Sequence, residues 1–98
     1  MVSFDQQRGI LRVTGDEDAS TVGRRRPPLS TALRATRDVV VDLSGLRFAD
    51  STLILDLAVL AQRLRKGGAM LQLHTPQPQV RFLIERMGLD RQPAVQLV

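Results

Sequence analysis

A carboxylate and two hydroxyls stand together in the middle of this chain, behind an apolar run. Val39-Val40-Val41 leads into Asp42, and Leu43 to Ala49 follows as a short loop with the turn residues Ser44 and Gly45 inside it. Then come Asp50, Ser51 and Thr52, directly ahead of a long amphipathic pattern. A strand, a loop and a helix with hydroxyls in its first turn form a place for chemistry. The first N–H groups of a helix have no partners inside it, and its N-terminus carries a partial positive charge. A hydroxyl or an anion is favoured there. Taken alone, Asp50-Ser51-Thr52 reads first as an ordinary N-cap, because these are common capping residue types.

The other reactive side chains do not assemble into a catalytic set. His74 is the only histidine and there is no cysteine, so neither a histidine-based metal site nor thiolate chemistry is expected. Ser51, His74 and Asp42 supply the residue types of a serine–histidine–aspartate triad, but no G-x-S-x-G elbow surrounds any serine. Gly67-Gly68 precedes a strand pattern rather than a helix, which is the wrong context for a phosphate-cradling loop. No enzymatic activity, cofactor or bound metal is therefore expected.

The totals narrow the class further. The chain has 98 residues, 43% hydrophobic and 24% charged, as an ordinary globular chain does, and residues 1–98 are expected to form a single domain. The opening MVSFDQQRG lacks the basic start and apolar core of a signal peptide, and no apolar run reaches membrane-spanning length. A cytoplasmic location without membrane insertion is the expectation. Lys plus Arg number 14 against 10 Asp plus Glu, a net charge of +4. The one basic cluster, Arg24-Arg25-Arg26, adjoins Pro27-Pro28, and the aromatics are only Phe4, Phe48 and Phe82. That is not the interleaved basic and aromatic surface that single strands stack on, so Ser20 to Pro28 reads as a solvated mobile loop and direct nucleic-acid binding is not expected.

The elements that must position Ser51 follow from periodicity. Val2 and Phe4 alternate with polar residues, and Ile10, Leu11 and Val13 form a second strand across a glycine turn, suggesting a hairpin. Gly15-Asp16-Glu17-Asp18 reads as an acidic turn ending that strand, and a weak helix resumes at Leu29 to Thr36. The unbroken run Val39-Val40-Val41, with Leu43, reads as a strand buried on both faces. Leu53, Leu57, Leu60, Ala61 and Leu64 share one helical face, with Thr52 and Asp56 opposite and Gly67-Gly68 as the stop. Leu55 and Val59 lie on an exposed flank. A strand at Ala69 to Leu73, a helix opened by Pro78 and ended by Gly88, and a last edge strand at Val95 and Leu97 complete the chain. The order β-β-α-β-α-β-α-β predicts an α/β fold, a mixed, mainly parallel sheet with helices packed against it.

Residues Val39 to Leu89 resemble the STAS domain family, which includes bacterial anti-sigma factor antagonists and the cytoplasmic tails of sulfate transporters. The resemblance rests on Asp42-Leu43-Ser44-Gly45-Leu46, on Phe48-Ala49-Asp50-Ser51-Thr52, and on the helix ending in Met87-Gly88-Leu89-Asp90. Gly15-Asp16-Glu17-Asp18 is similar to the family's acidic turn after its second strand. This chain carries Leu53 where the family usually has glycine, and Gly23 to Pro28 where the family has a regular first helix. The resemblance implies a partner switch. Ser51 would be the phosphorylation site, modified by an anti-sigma factor that is also a serine protein kinase. Asp18, Asp50, Thr52, Leu55 and Asp56 would join Ser51 on the partner-binding face. The unphosphorylated form would hold the anti-sigma factor and the phosphorylated form would release it. The alternative within the family is a subunit docked permanently on a transporter ATPase or other large assembly, with Ser51 and Thr52 only capping. A weak homodimer is compatible with either.

Overall fold

The computed structural model describes residues 1–98. Its strands are β1 (Val2–Asp5), β2 (Ile10–Glu17), β3 (Val39–Ala49), β4 (Leu71–His74) and β5 (Val95–Leu97). Its helices are α1 (Val22–Ala32), α2 (Ser51–Lys66) and α3 (Pro78–Met87), with single 3-10 turns at Ala19–Thr21 and Leu89–Arg91. This is the element order the periodicity predicts. The sheet runs β1-β2-β3-β4-β5, antiparallel between β1 and β2 and parallel thereafter.

Register explains where the core lies. Leu11 of β2 stands beside Val41 of β3, which stands beside Leu73 of β4 and so beside Leu97 of β5. Val39 and Leu71 form a second row. Leu11, Val13, Val39, Val41, Leu43, Leu71 and Leu73 are buried and point toward the helices, since side chains alternate along a strand. Their neighbours Arg12, Val40, Asp42, Gln72 and His74 face the other way and keep contact with water. The run Val39 to Leu43 is therefore buried on one face, not two. On the open face Arg12 Nε meets Asp42 Oδ2 at 3.3 Å, and His74 pairs with Gln72 Oε1 at 3.1 Å.

The helices close the covered face. Leu53, Ile54, Leu57, Leu60, Ala61 and Leu64 of α2 are all buried, as are Val80 and Ile84 of α3. Pro78 begins α3, and Gly88 ends it at φ 78°, a left-handed conformation that favours glycine.

Three further local expectations fail for identifiable reasons. The stretch Leu43 to Ala49 is a continuation of β3, paired with Thr14 to Glu17 of β2, rather than a loop. The turn residues Ser44 and Gly45 mark an irregularity in the ladder instead. A Cβ at Gly45 would lie 2.9 Å from Thr14 Cγ2, so the glycine admits a close strand-to-strand approach. The expected acidic turn is likewise the last part of β2, up to Glu17.

The third failure is the expected loop from Ser20 to Pro28, since α1 already begins at Val22 and runs through Pro27 and Pro28. Each proline removes an intrahelical hydrogen bond, but the fixed proline φ is itself helical. Buried Arg25, Leu29 and Ala32 recur along one stripe and hold the helix against the sheet and α2. Tertiary packing overrides the propensity signal here.

Candidate functional site

The loop from β2 to α1 and the junction of β3 with α2 meet at the carboxyl end of the parallel strands. Asp50 fastens them. Its Oδ1 accepts from Thr52 N at 2.9 Å and from Thr52 Oγ1 at 2.5 Å, which caps α2. Its Oδ2 accepts from Ala19 N, 3.0 Å away on the neighbouring loop. The Thr52 hydroxyl leads the groups that hold the Asp50 carboxyl below its usual range, followed by the backbone N–H groups of Thr52, Ala19 and Leu53, against a desolvation that pushes it up. Asp18 caps the 3-10 turn beside it, accepting from Ser20 N at 2.8 Å, while Thr21 Oγ1 accepts from Asp18 N at 3.0 Å.

The side chain that binds this assembly from below is Arg25. It is 1% exposed. Its Nε donates to Asp56 Oδ2 at 2.7 Å, and its Nη2 donates to Thr52 Oγ1 at 2.9 Å. Its Nη1 reaches Glu17 Oε1 at 3.2 Å and the Asp18 carbonyl and Thr21 Oγ1, each at 3.0 Å. One guanidinium thus spans α1, the end of β2, the following turn and the first two turns of α2. The planar fork of arginine suits such convergent acceptors. Glu17 is buried beside it. Burial raises its pKa, but hydrogen bonds from the amino-terminal ammonium, Thr21 and Arg25 outweigh that and hold it below the usual value.

The predicted site residues fall into two groups. Ser51 is exposed at the first position of α2, and its hydroxyl takes no part in the network. Leu55, on the next turn, is also exposed. Asp18, Asp50, Thr52 and Asp56 are half-buried and come together with Ser51 at this end of the sheet, although Thr52 and Asp56 face α1 rather than open solvent. Of the two adjacent hydroxyls, only that of Ser51 is free to act. Leu53 is 1% exposed and points into the core, so its bulk is directed away from Ser51. Glu17, one of the residues of the expected acidic turn, points inward.

Arg25, Glu17 and Thr21 are the residues that sequence reasoning missed. The signal was present. Arg25, Leu29 and Ala32 recur at i, i+4 and i+7, a helical stripe that the intervening proline pair disguises. The Arg24-Arg25-Arg26 cluster is neither a loop nor a uniform basic patch, since its middle member is interior.

A family model described as "Mlab, STAS domain" matches residues 1–98. The chain belongs to the STAS domain family. Among solved structures, this STAS domain is similar to the anti-sigma factor antagonist SpoIIAA in its unphosphorylated form, with a TM-score of 0.63, 22% identity, and 84% of this chain and 86% of the other covered. It is also similar to an anti-sigma-factor antagonist (STAS) domain protein from Planctomyces limnophilus, with a TM-score of 0.71, 17% identity, and 99% and 87% covered. At these identities the likeness establishes a shared fold. No curated protein sequence matches this chain. None of its helices is long and apolar enough to cross a membrane.

Proposed function

We propose that this STAS domain is an anti-sigma factor antagonist that works by partner switching at Ser51. The observation that carries the reading is the contrast between the two hydroxyls at the start of α2. Ser51 is exposed, whereas Thr52 is tied to Asp50 and Arg25. The partner is an anti-sigma factor that is also a serine kinase, docking over Asp18, Asp50, Ser51 and Leu55, with Thr52 and Asp56 supporting that face from beneath. In the transfer, Ser51 Oγ attacks the γ-phosphorus of ATP, the bond to the β-phosphate oxygen breaks, ADP leaves, and the hydroxyl proton passes to a base of the kinase.

The physical effect of the phosphate is local. It adds about −1.5 to −2 charges and three strong acceptor oxygens. The start of α2 favours an anion, so the fold persists. Asp50 and Asp18 already stand there as carboxylates, so a partner surface must desolvate several like charges together. A coupling of about 1–3 kcal/mol changes occupancy by one to two orders of magnitude.

The test is incubation with the cognate kinase and ATP, followed by intact-mass measurement of wild type and Ser51→Ala. One added phosphate on wild type and none on the variant is expected. Phosphate on the variant, or none on either, refutes the switch.

A different observation favours a second reading, permanent docking on a transporter ATPase or another large assembly. Leu55 and Val59 are 57% and 52% exposed on one flank of α2. Val59 adjoins a groove whose apolar lining comes from Val22, Leu29 and Leu33 of α1 and the residue following it. A constitutive partner would cover such a strip. Co-purification separates the two: a transport ATPase in the recovered complex favours docking, and a kinase-like anti-sigma factor favours switching.

A further inference from the structure

The net charge of this molecule is confined to one end. The strands β2 to β5 begin at the same end of the sheet, and α1, α2 and α3 all finish there, together with the turn between β1 and β2. Arg34 and Arg37 follow α1, and Arg63, Arg65 and Lys66 close α2. Arg86 and Arg91 come from the end of α3 and the turn after it, and Arg8 from the hairpin. Against these eight cations stand four acids, Asp5, Asp38, Glu85 and Asp90, so this end accounts for the whole excess of +4. The other end and the open sheet face hold six cations and six acids.

Cations at helix C-termini complement the helix dipole, and one per helix serves that purpose. The excess here goes beyond it. Arg34, Arg63, Arg65, Lys66 and Arg86 all lie more than 4.0 Å from any carboxylate oxygen. Exposed Met70, just ahead of β4, and exposed Met87, at the end of α3, stand among them.

We propose that this end of the molecule binds the surface of an anionic lipid bilayer. Basic residues that converge from three helix ends onto one broad face match a plane of headgroup charge, and each contributes by its nearness to that plane. The methionines suit the headgroup boundary, where apolar side chains find a partner. A nucleic-acid strand would be tracked by a groove with several aromatic faces, and the one aromatic residue at this end, Phe4, is half-buried and packed against the core. Bound this way, the protein presents Ser51 on the side remote from the lipid.

The test is co-sedimentation of the full chain with vesicles rich in phosphatidylglycerol and with vesicles of phosphatidylcholine alone. Binding to the anionic vesicles is expected at about 50 mM salt and its loss at about 0.5 M, where screening is nearly complete over a few ångströms. The triple variant Arg63→Gln, Arg65→Gln, Lys66→Gln should bind about 100-fold more weakly, and Arg34→Gln with Arg86→Gln, on two other helices, about 10- to 30-fold. The charge-matched control Arg24→Gln, Arg26→Gln, Arg47→Gln, at the other end, should bind as wild type does. Circular dichroism of each variant checks its fold, and the double variant decides the matter if the triple fails to fold. Absence of binding at low salt, equal binding to phosphatidylcholine, or equal loss in the control overturns the proposal. So does duplex DNA that displaces the protein from vesicles, which would assign this end to nucleic acid.

Discussion

Replacing Arg25 with methionine removes five hydrogen bonds from one buried point while keeping most of the side chain's bulk. Taking one partner from a buried ion pair costs about 3–5 kcal/mol, because the remaining charge is left without compensation. Two features place this case at the lower end. Glu17 keeps the amino-terminal ammonium at 2.6 Å and the Thr21 hydroxyl at 2.9 Å, and the Asp56 side chain is 35% exposed, so water screens it. The expected loss is about 3 kcal/mol. For a domain of this size that corresponds to a fall in Tm of roughly 12–24 °C. Urea unfolding followed by circular dichroism measures it directly. Arg25→Lys keeps the charge but lacks the fork, and should fall between the two. A double-mutant cycle with Asp56→Asn should return a coupling of about 1–2 kcal/mol. An Arg25→Met protein within about 1 kcal/mol of wild type would refute the reasoning, since the guanidinium would then contribute little net stability.

Asp50→Ala removes the cap of α2 and the bridge to Ala19, and should cost about 1–2 kcal/mol by thermal melting, with Asp50→Asn recovering part of it. Leu53→Ala should cost about 2–4 kcal/mol in urea unfolding, and a smaller value would place that side chain outside the core. Ser51→Asp should leave the urea midpoint nearly unchanged, within about 0.5 kcal/mol in stability, because the residue is exposed at a helix start. The carboxyls of Glu17, Asp42 and Asp50 all titrate below their ordinary values in the folded state. Their stabilisation is therefore complete above the unfolded values of about 4, and is lost as pH falls through the folded ones. Urea midpoints should drop steadily below about pH 4.5, and a flat profile would contradict the hydrogen-bonded carboxylates described above.

Much of this architecture was legible because hydrophobic period and terminators agreed. α2 shows Leu53, Leu57, Leu60, Ala61 and Leu64 on one face and a glycine stop, and it folds accordingly. Pro78 and Gly88 bracket α3 as such residues do. The errors arose where a long-range interaction outweighed a local signal. Ser44 and Gly45 carry turn character, yet pairing with Thr14 keeps the chain extended. Pro27 and Pro28 argue against a helix, yet α1 is held by residues whose partners lie up to 31 positions away, as Asp56 does from Arg25. The candidate site divided in the same way. Local capping announced Asp50 and Ser51, whereas the role of Arg25 depends on which elements surround it. Sequence spacing also set Thr52 and Asp56 opposite the apolar face, and their engagement by Arg25 shows how a polar stripe becomes half-buried once a second helix lies over it.

Strand order has a consequence for what this molecule can hold. From β2 to β5 the sheet grows in a single direction, one neighbour at a time. Right-handed crossovers laid down in a constant direction deposit every helix on the same side. Doubly wound sheets reverse once, and the gap opened at that reversal is where nucleotides and small substrates lodge. A sheet wound one way has no such gap. Its strand ends instead support a shallow rim, suited to being gripped from outside rather than to enclosing a guest.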